Sequence, residues 1–107
     1  MKYNNTESNI EVILPAIRAS ATKLMSRDYK LTQQKIAVLL GLTQAAVSKY
    51  INNKYSFKIQ RIEKKFDKKQ INEFIKYKID KKEKKAKEVV CKLCKKTYDF
   101  CRNWMVK

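Results

Sequence analysis

The chain has 107 residues, and its 26 lysines and arginines outnumber 10 aspartates and glutamates to give a formal net charge of +16. Such a charge repels itself in a compact state unless a polyanion offsets it, and the candidates are nucleic acid and an anionic membrane surface. No stretch approaches the roughly 20 apolar residues of a membrane-spanning helix. The polar N-terminal region is unlike a signal peptide. One glycine and one proline leave few strand-turn signals, so we expect an all-α protein. From the charge and the lack of a membrane or export signal, we expect it to be cytoplasmic and nucleoid-associated.

The first predicted element lies upstream of residue 28. Ser8 and Glu11 have the spacing of a capping box, and Met1 to Thr6 is expected to be a loose arm. Apolar residues then recur at helical spacing up to Met25. Pro15 removes one backbone donor, so the helix either starts near Ser8 and kinks, or starts at Leu14–Pro15. We favour a helix that continues to Arg27 and is most regular over 15–25. Its apolar stripe is expected to form one wall of the core.

The most informative stretch is 31–53, LTQQKIAVLLGLTQAAVSKYINN. Its apolar residues have helical spacing on either side of Gly41, where the register breaks. Glycine suits the left-handed residue that ends a helix, and Thr32 and Thr43 can each cap a helix start. The pattern predicts helices over 33–40 and 44–52. Two short helices joined by a tight turn containing glycine are a helix-turn-helix, whose second helix enters the DNA major groove.

This stretch resembles the helix-turn-helix of lambda-repressor-like transcriptional regulators, through Ala37, Gly41, Thr43, Gln44, Val47 and Ser48. The preceding LPAIRASATKLM and the run TQAAVSKYI look like a family of small archaeal regulators within that group. The resemblance implies that Gln44, Ala45 and Ser48 read bases and that Gln33 supports them or binds phosphate.

The chemistry of the second helix agrees with base reading. Glutamine can bond to adenine N6 and N7, alanine can pack on a thymine methyl, and serine and lysine can reach several base edges. The predicted base-reading residues are Gln44, Ala45, Ser48 and Lys49, although Lys49 is equally suited to a phosphate contact. The predicted phosphate contacts are Thr32, Gln33, Lys35, Thr43, Asn52, Asn53 and Lys54.

The sequence changes character after residue 56, which divides the chain into a DNA-binding domain at 8–56 and a basic helical extension at 57–107. Apolar stripes predict two helices, with Ile59, Ile62 and Phe66 on one and Ile71, Phe74, Ile75 and Ile79 on the other. The run 81–88 is almost devoid of apolar residues. It is either a basic arm that follows DNA outside the recognised site or a solvated helical connector.

All three cysteines, Cys91, Cys94 and Cys101, lie in the C-terminal segment. Thiolates at this spacing can bind zinc, but the chain has no histidine, so we expect no metal and keep zinc as the weaker alternative. With Tyr98 and Met105, the cysteines step by three and four, which is typical of an apolar seam between helices. A disulfide would be unusual inside most cells.

We expect a homodimer, because one recognition helix reads only a few base pairs and two read half-sites of a palindromic operator. The extension would hold it, through Ile71, Phe74, Ile75, Cys94, Tyr98, Cys101 and Met105. The predicted function is therefore a sequence-specific, double-stranded DNA-binding regulator of transcription, with no small-molecule ligand. The alternatives are a redox- or zinc-responsive regulator and a non-specific architectural or RNA-binding protein. No arrangement typical of an enzyme active site is evident.

Overall fold

The computed structural model describes the backbone of residues 2–97 and the side chains of residues 12–93. Over this part of the chain all regular elements are helices, which confirms the predicted all-α class. The helices are α1 (Lys2–Arg27), α2 (Gln33–Leu40), α3 (Gln44–Ile51), α4 (Phe57–Glu63), α5 (Lys68–Ile79) and α6 (Glu83–Thr97).

Helix α1 runs through the centre of the fold, because all five other helices pack against it. Its buried residues lie on several sides rather than on the single predicted stripe; they are Val12, Ile13, Ala16, Ile17, Ala19, Ala21, Thr22, Leu24 and Met25. A helix that is buried on most of its circumference is typical of the interior of a bundle. Helix α1 was predicted to form one wall of the core, and it is instead the central element around which the core is built.

Two predictions for the start of α1 were wrong. The stretch from Lys2 to Thr6 is helical rather than a loose arm, and the helix starts at neither Ser8 nor Leu14. Pro15 lies inside an uninterrupted helix. A proline removes one hydrogen bond and crowds the preceding turn; the packing of α1 against its five neighbours outweighs that local cost.

Helices α4 and α5 complete the same core. Ile62, Ile71, Phe74 and Ile75 are at most 5% exposed and belong to one apolar cluster with the buried residues of α1 to α3. The core is thus continuous across the predicted boundary at residue 56. The predicted dimer contacts of Ile71, Phe74 and Ile75 are instead buried within the chain's own core. Dimerisation itself stays a prediction.

Helix α6 covers the outer side of α5. Its buried residues are Ala86, Val89, Val90 and Leu93, whereas Cys91 is half-buried at the edge of that face. Cys91, the first residue of the predicted seam, packs against the core, and the seam as a whole stays a prediction. The side chain of Cys94, and the whole of Tyr98, Cys101 and Met105, lie outside the described residues.

Candidate nucleic-acid interface

The turn between α2 and α3 has the predicted geometry. Gly41 adopts φ 67° and ψ 36°, in the left-handed region. The N–H of Leu42 donates to the carbonyl of Ala37 at 2.8 Å, and the N–H of Gly41 donates to that of Val38 at 3.4 Å. This pair of bonds is a Schellman motif, which satisfies carbonyls that a helix end leaves open. The motif sets the angle at which the chain leaves α2 and enters α3.

Both helices are capped by the predicted threonines. The hydroxyl of Thr32 accepts from the N–H of Lys35, and that of Thr43 accepts from the N–H of Ala46, each at 3.1 Å. Such caps satisfy one of the donors that a helix start leaves without a partner. Both predicted caps and the predicted helix boundaries are therefore confirmed, with α3 ending one residue earlier than expected.

Helix α3, which we call the recognition helix, is anchored by its inner side. Val47 is fully buried and Ile51 packs against the core. Gln44, Ala45 and Lys49 are exposed, and Ser48 is half-buried. Because residues four apart share one face of a helix, Ala45 and Lys49 form a row that points away from the bundle. The four predicted base-reading residues are thus at the surface, with Ser48 at its margin.

Ser48 has a partner within the helix. The side-chain amide of Asn52 donates to the Ser48 carbonyl at 3.0 Å and to the Ser48 hydroxyl oxygen at 3.3 Å. The hydroxyl retains its own proton for donation, since a serine hydroxyl can accept and donate at once. Asn52 therefore braces Ser48 at the edge of the recognition surface.

The predicted phosphate contacts are all exposed, but they differ in what their side chains already do. Thr32 and Thr43 are caps, and Asn52 and Asn53 bond to other side chains. Among the described residues, no side-chain bond or ion pair involves Gln33, Lys35 or Lys54. These last three side chains are consequently the ones most available to a phosphate group.

A polar cluster that sequence reasoning missed lies where the recognition helix ends. The ammonium of Lys23, on α1, donates to the side-chain oxygen of Asn53 and to the Tyr55 hydroxyl at 2.7 Å. It also lies 3.1 Å from a carboxylate oxygen of Glu63, on α4. Asn53 has φ 58°, and the N–H of Lys54 closes the turn on the Lys49 carbonyl at 2.8 Å. The cluster therefore fixes the segment that follows α3.

Tyr55 is the centre of that segment. Its hydroxyl donates to Glu63, its carbonyl accepts from the Gln60 amide at 2.8 Å, and its ring meets the Tyr50 ring edge-on at 5.3 Å. Burial, followed by the hydrogen bond to Glu63, raises the pKa of Tyr55 well above its usual value, so the hydroxyl remains a donor. No helical or strand spacing relates Tyr50 to Tyr55, so the sequence pattern did not predict this contact.

Comparison with protein families identifies the central segment. Residues 27–64 match the family model described as helix-turn-helix. The chain contains a helix-turn-helix domain, the kind of domain that places its second helix in the DNA major groove. The match spans α2, α3 and α4, and so includes the recognition helix and Asn53, Tyr55 and Glu63 of the polar cluster, whereas Lys23 lies outside it. Neither the curated proteins nor the solved structures gave a match.

Two further predictions concern a membrane-spanning helix and a metal site. Within residues 2–97, no helix is long and apolar enough to cross a membrane. Among the described side chains, those of residues 12–93, no three metal-ligating groups form a cluster. Because Cys94 and Cys101 lie outside the described side chains, the zinc alternative stays untested.

Proposed function

We propose that the protein is a sequence-specific regulator of transcription that binds double-stranded DNA with the recognition helix in the major groove. The observation that carries the proposal is the outward face of this helix, where the exposed Gln44, Ala45 and Lys49 follow directly on a capped start. These side chains have the donors, acceptors and methyl group that match base edges. Small alanines keep the helix slim enough to approach the floor of the groove.

The proposal includes a homodimer on a palindromic operator. One recognition helix reaches only a few base pairs, whereas two helices related by a two-fold axis read half-sites about 34 Å apart. In this dimer, the two copies contact each other through residues that follow residue 56, and the buried Ile71, Phe74 and Ile75 are not among them. The finer resemblance to small archaeal regulators is also part of this proposal.

The net charge supports DNA binding in general but does not explain a preference for one operator sequence. The formal charge of +16 provides affinity for any phosphate backbone, and that affinity alone would describe an architectural protein. Discrimination between operators must then come from Gln44, Ala45, Ser48 and Lys49, because phosphate contacts carry no direct sequence information.

Selection of bound sequences from a random duplex library, followed by sequencing, tests the proposal. We expect an inverted repeat with half-site centres separated by about one helical turn. At moderate salt, random duplex should compete at least about a thousandfold less effectively than the selected site. Equal competition by random duplex would identify a non-specific architectural protein, and a selected site without internal symmetry would contradict the dimer.

A further inference from the structure

The turn between α5 and α6 lies beside the start of α2. Ile79 and Lys81, from the end of α5 and the turn, line one surface depression together with Thr32, Lys35 and Val38 of the helix-turn-helix. Residues far apart in sequence thus share one surface. Two of these residues, Thr32 and Lys35, are among the predicted phosphate contacts.

This surface is cationic. Lys35 and Lys81 line the depression, and Lys82 follows Lys81 in the turn. All three are exposed, and none of them forms an ion pair with another described residue. By contrast, Lys78 one turn earlier is neutralised by Glu83 at 2.8 Å. Asp80 is the one acidic residue in the turn, so the three lysines leave a clear excess of positive charge. A polyanion would therefore be attracted to this edge of the molecule.

The backbone holds the turn in place. Lys81 has φ 61°, in the left-handed region that residues with a Cβ seldom adopt. The N–H of Lys82 donates to the Tyr77 carbonyl at 2.8 Å, and that of Lys81 donates to the Lys78 carbonyl at 3.1 Å. These bonds close the end of α5 as a Schellman motif. The direction in which the two lysines leave the surface is consequently set by the fold.

We infer that Lys81 and Lys82 bind the sugar–phosphate backbone of DNA next to the site read by the recognition helix. The inference rests on the proposed function, since it takes the same duplex as the occupant. The cations match the phosphates, and the exposed Val38 and Ile79, which line the same depression, offer apolar contact to deoxyribose carbons. The DNA footprint then extends beyond the helix-turn-helix to a turn outside residues 27–64.

The test compares a variant carrying Lys81→Asn and Lys82→Gln with a control carrying Lys68→Gln and Lys69→Gln. Asparagine tolerates the left-handed conformation at residue 81. The control removes the same charge from exposed lysines at the opposite end of α5. Binding is measured against salt concentration on a duplex with the selected site alone and on one with flanking base pairs on both sides.

On the flanked duplex, we expect the turn variant to lower the slope of log K against log salt by about 2 for each protomer, at about 0.9 per phosphate contact. The control should keep the wild-type slope, and the order of preferred bases should be unchanged in both variants. On the short duplex, the turn variant and wild type should bind alike.

Three results would overturn the inference. The turn variant could keep the wild-type slope on the flanked duplex, the control could lower it equally, or the turn variant could change the oligomeric state in sedimentation. The last result would mark the depression as a contact between copies. Failure of the proposed function has a different signature, because random duplex would then compete equally with the selected site, whatever the slopes of the variants.

Discussion

The Lys23 ammonium lies 3.1 Å from the Glu63 carboxylate and joins α1 to α4 across the end of the recognition helix. The side chains are only 25% and 13% exposed, so water screens the pair less than it would a surface ion pair. The same ammonium bonds to Asn53 and Tyr55. One lysine of the central helix therefore holds both the exit from α3 and the helix that follows.

We expect Lys23→Met to lower the free energy of unfolding by about 1–3 kcal/mol, because it leaves Glu63 half-buried without its cation. Urea unfolding at neutral pH would measure the change. Lys92→Met, at an exposed position on α6, is the control and should stay within about 0.5 kcal/mol of wild type. Equal stabilities for the two variants would show that the cluster contributes nothing to the fold.

Gln44→Ala tests the recognition surface. It should weaken binding to the selected operator by about 1–3 kcal/mol per half-site and relax the preference at one base pair. Lys54→Gln provides a contrast, since loss of a phosphate contact should weaken binding to all sequences alike. Fluorescence anisotropy on the selected duplex and on single-base variants would separate the two patterns. Unchanged affinity and preference for the Gln44 variant would remove this residue from the interface.

Gly41→Ala tests the turn. Apart from Gly41 and the residues on either side of it, no atom lies within 4 Å of the added Cβ, so the cost comes from the left-handed backbone, at about 1–2 kcal/mol. Gly41→Asn should cost less, because asparagine tolerates this conformation. Thermal unfolding followed by circular dichroism would measure both. An alanine variant as stable as wild type would mean that the turn can adopt another conformation.

Thr43→Ala removes the cap of the recognition helix and should destabilise the protein by about 1 kcal/mol. Thr43→Ser keeps the accepting oxygen for the Ala46 N–H and should retain most of that stability. Chemical unfolding of the two variants provides the comparison. Similar losses for both would assign the effect to the methyl group of threonine and not to its hydrogen bond.

A fragment that ends at Asn53 should fail to fold. It would lack Ile62, Ile71 and Ile75, all of which belong to the cluster that covers α1. Its circular dichroism should show no cooperative unfolding transition, in contrast to the full chain. A fragment that unfolds cooperatively would show that the helix-turn-helix has a sufficient core of its own.

Local sequence signals predicted the helix-turn-helix closely. The left-handed glycine at 41 and the caps at Thr32 and Thr43 depend on a few neighbouring residues, and their geometry follows from backbone sterics and short hydrogen bonds. Helix α1 was harder to predict, because Pro15 and the capping pattern at Ser8 both favour a later start. The burial of Ile13, Ala16 and Ile17 on either side of Pro15 accounts for a helix that continues through the proline.

The sequence by itself determined the all-α class, the helix-turn-helix at 31–53 and the strong positive charge, because helical periodicity, caps and charge are all read within a few residues. Only the tertiary structure decided that Ile71, Phe74 and Ile75 are internal, that Lys23 holds Asn53 and Glu63, and that Lys81 lies beside Lys35. Periodicity shows that a helix has an apolar face, but what covers that face depends on how distant helices cross.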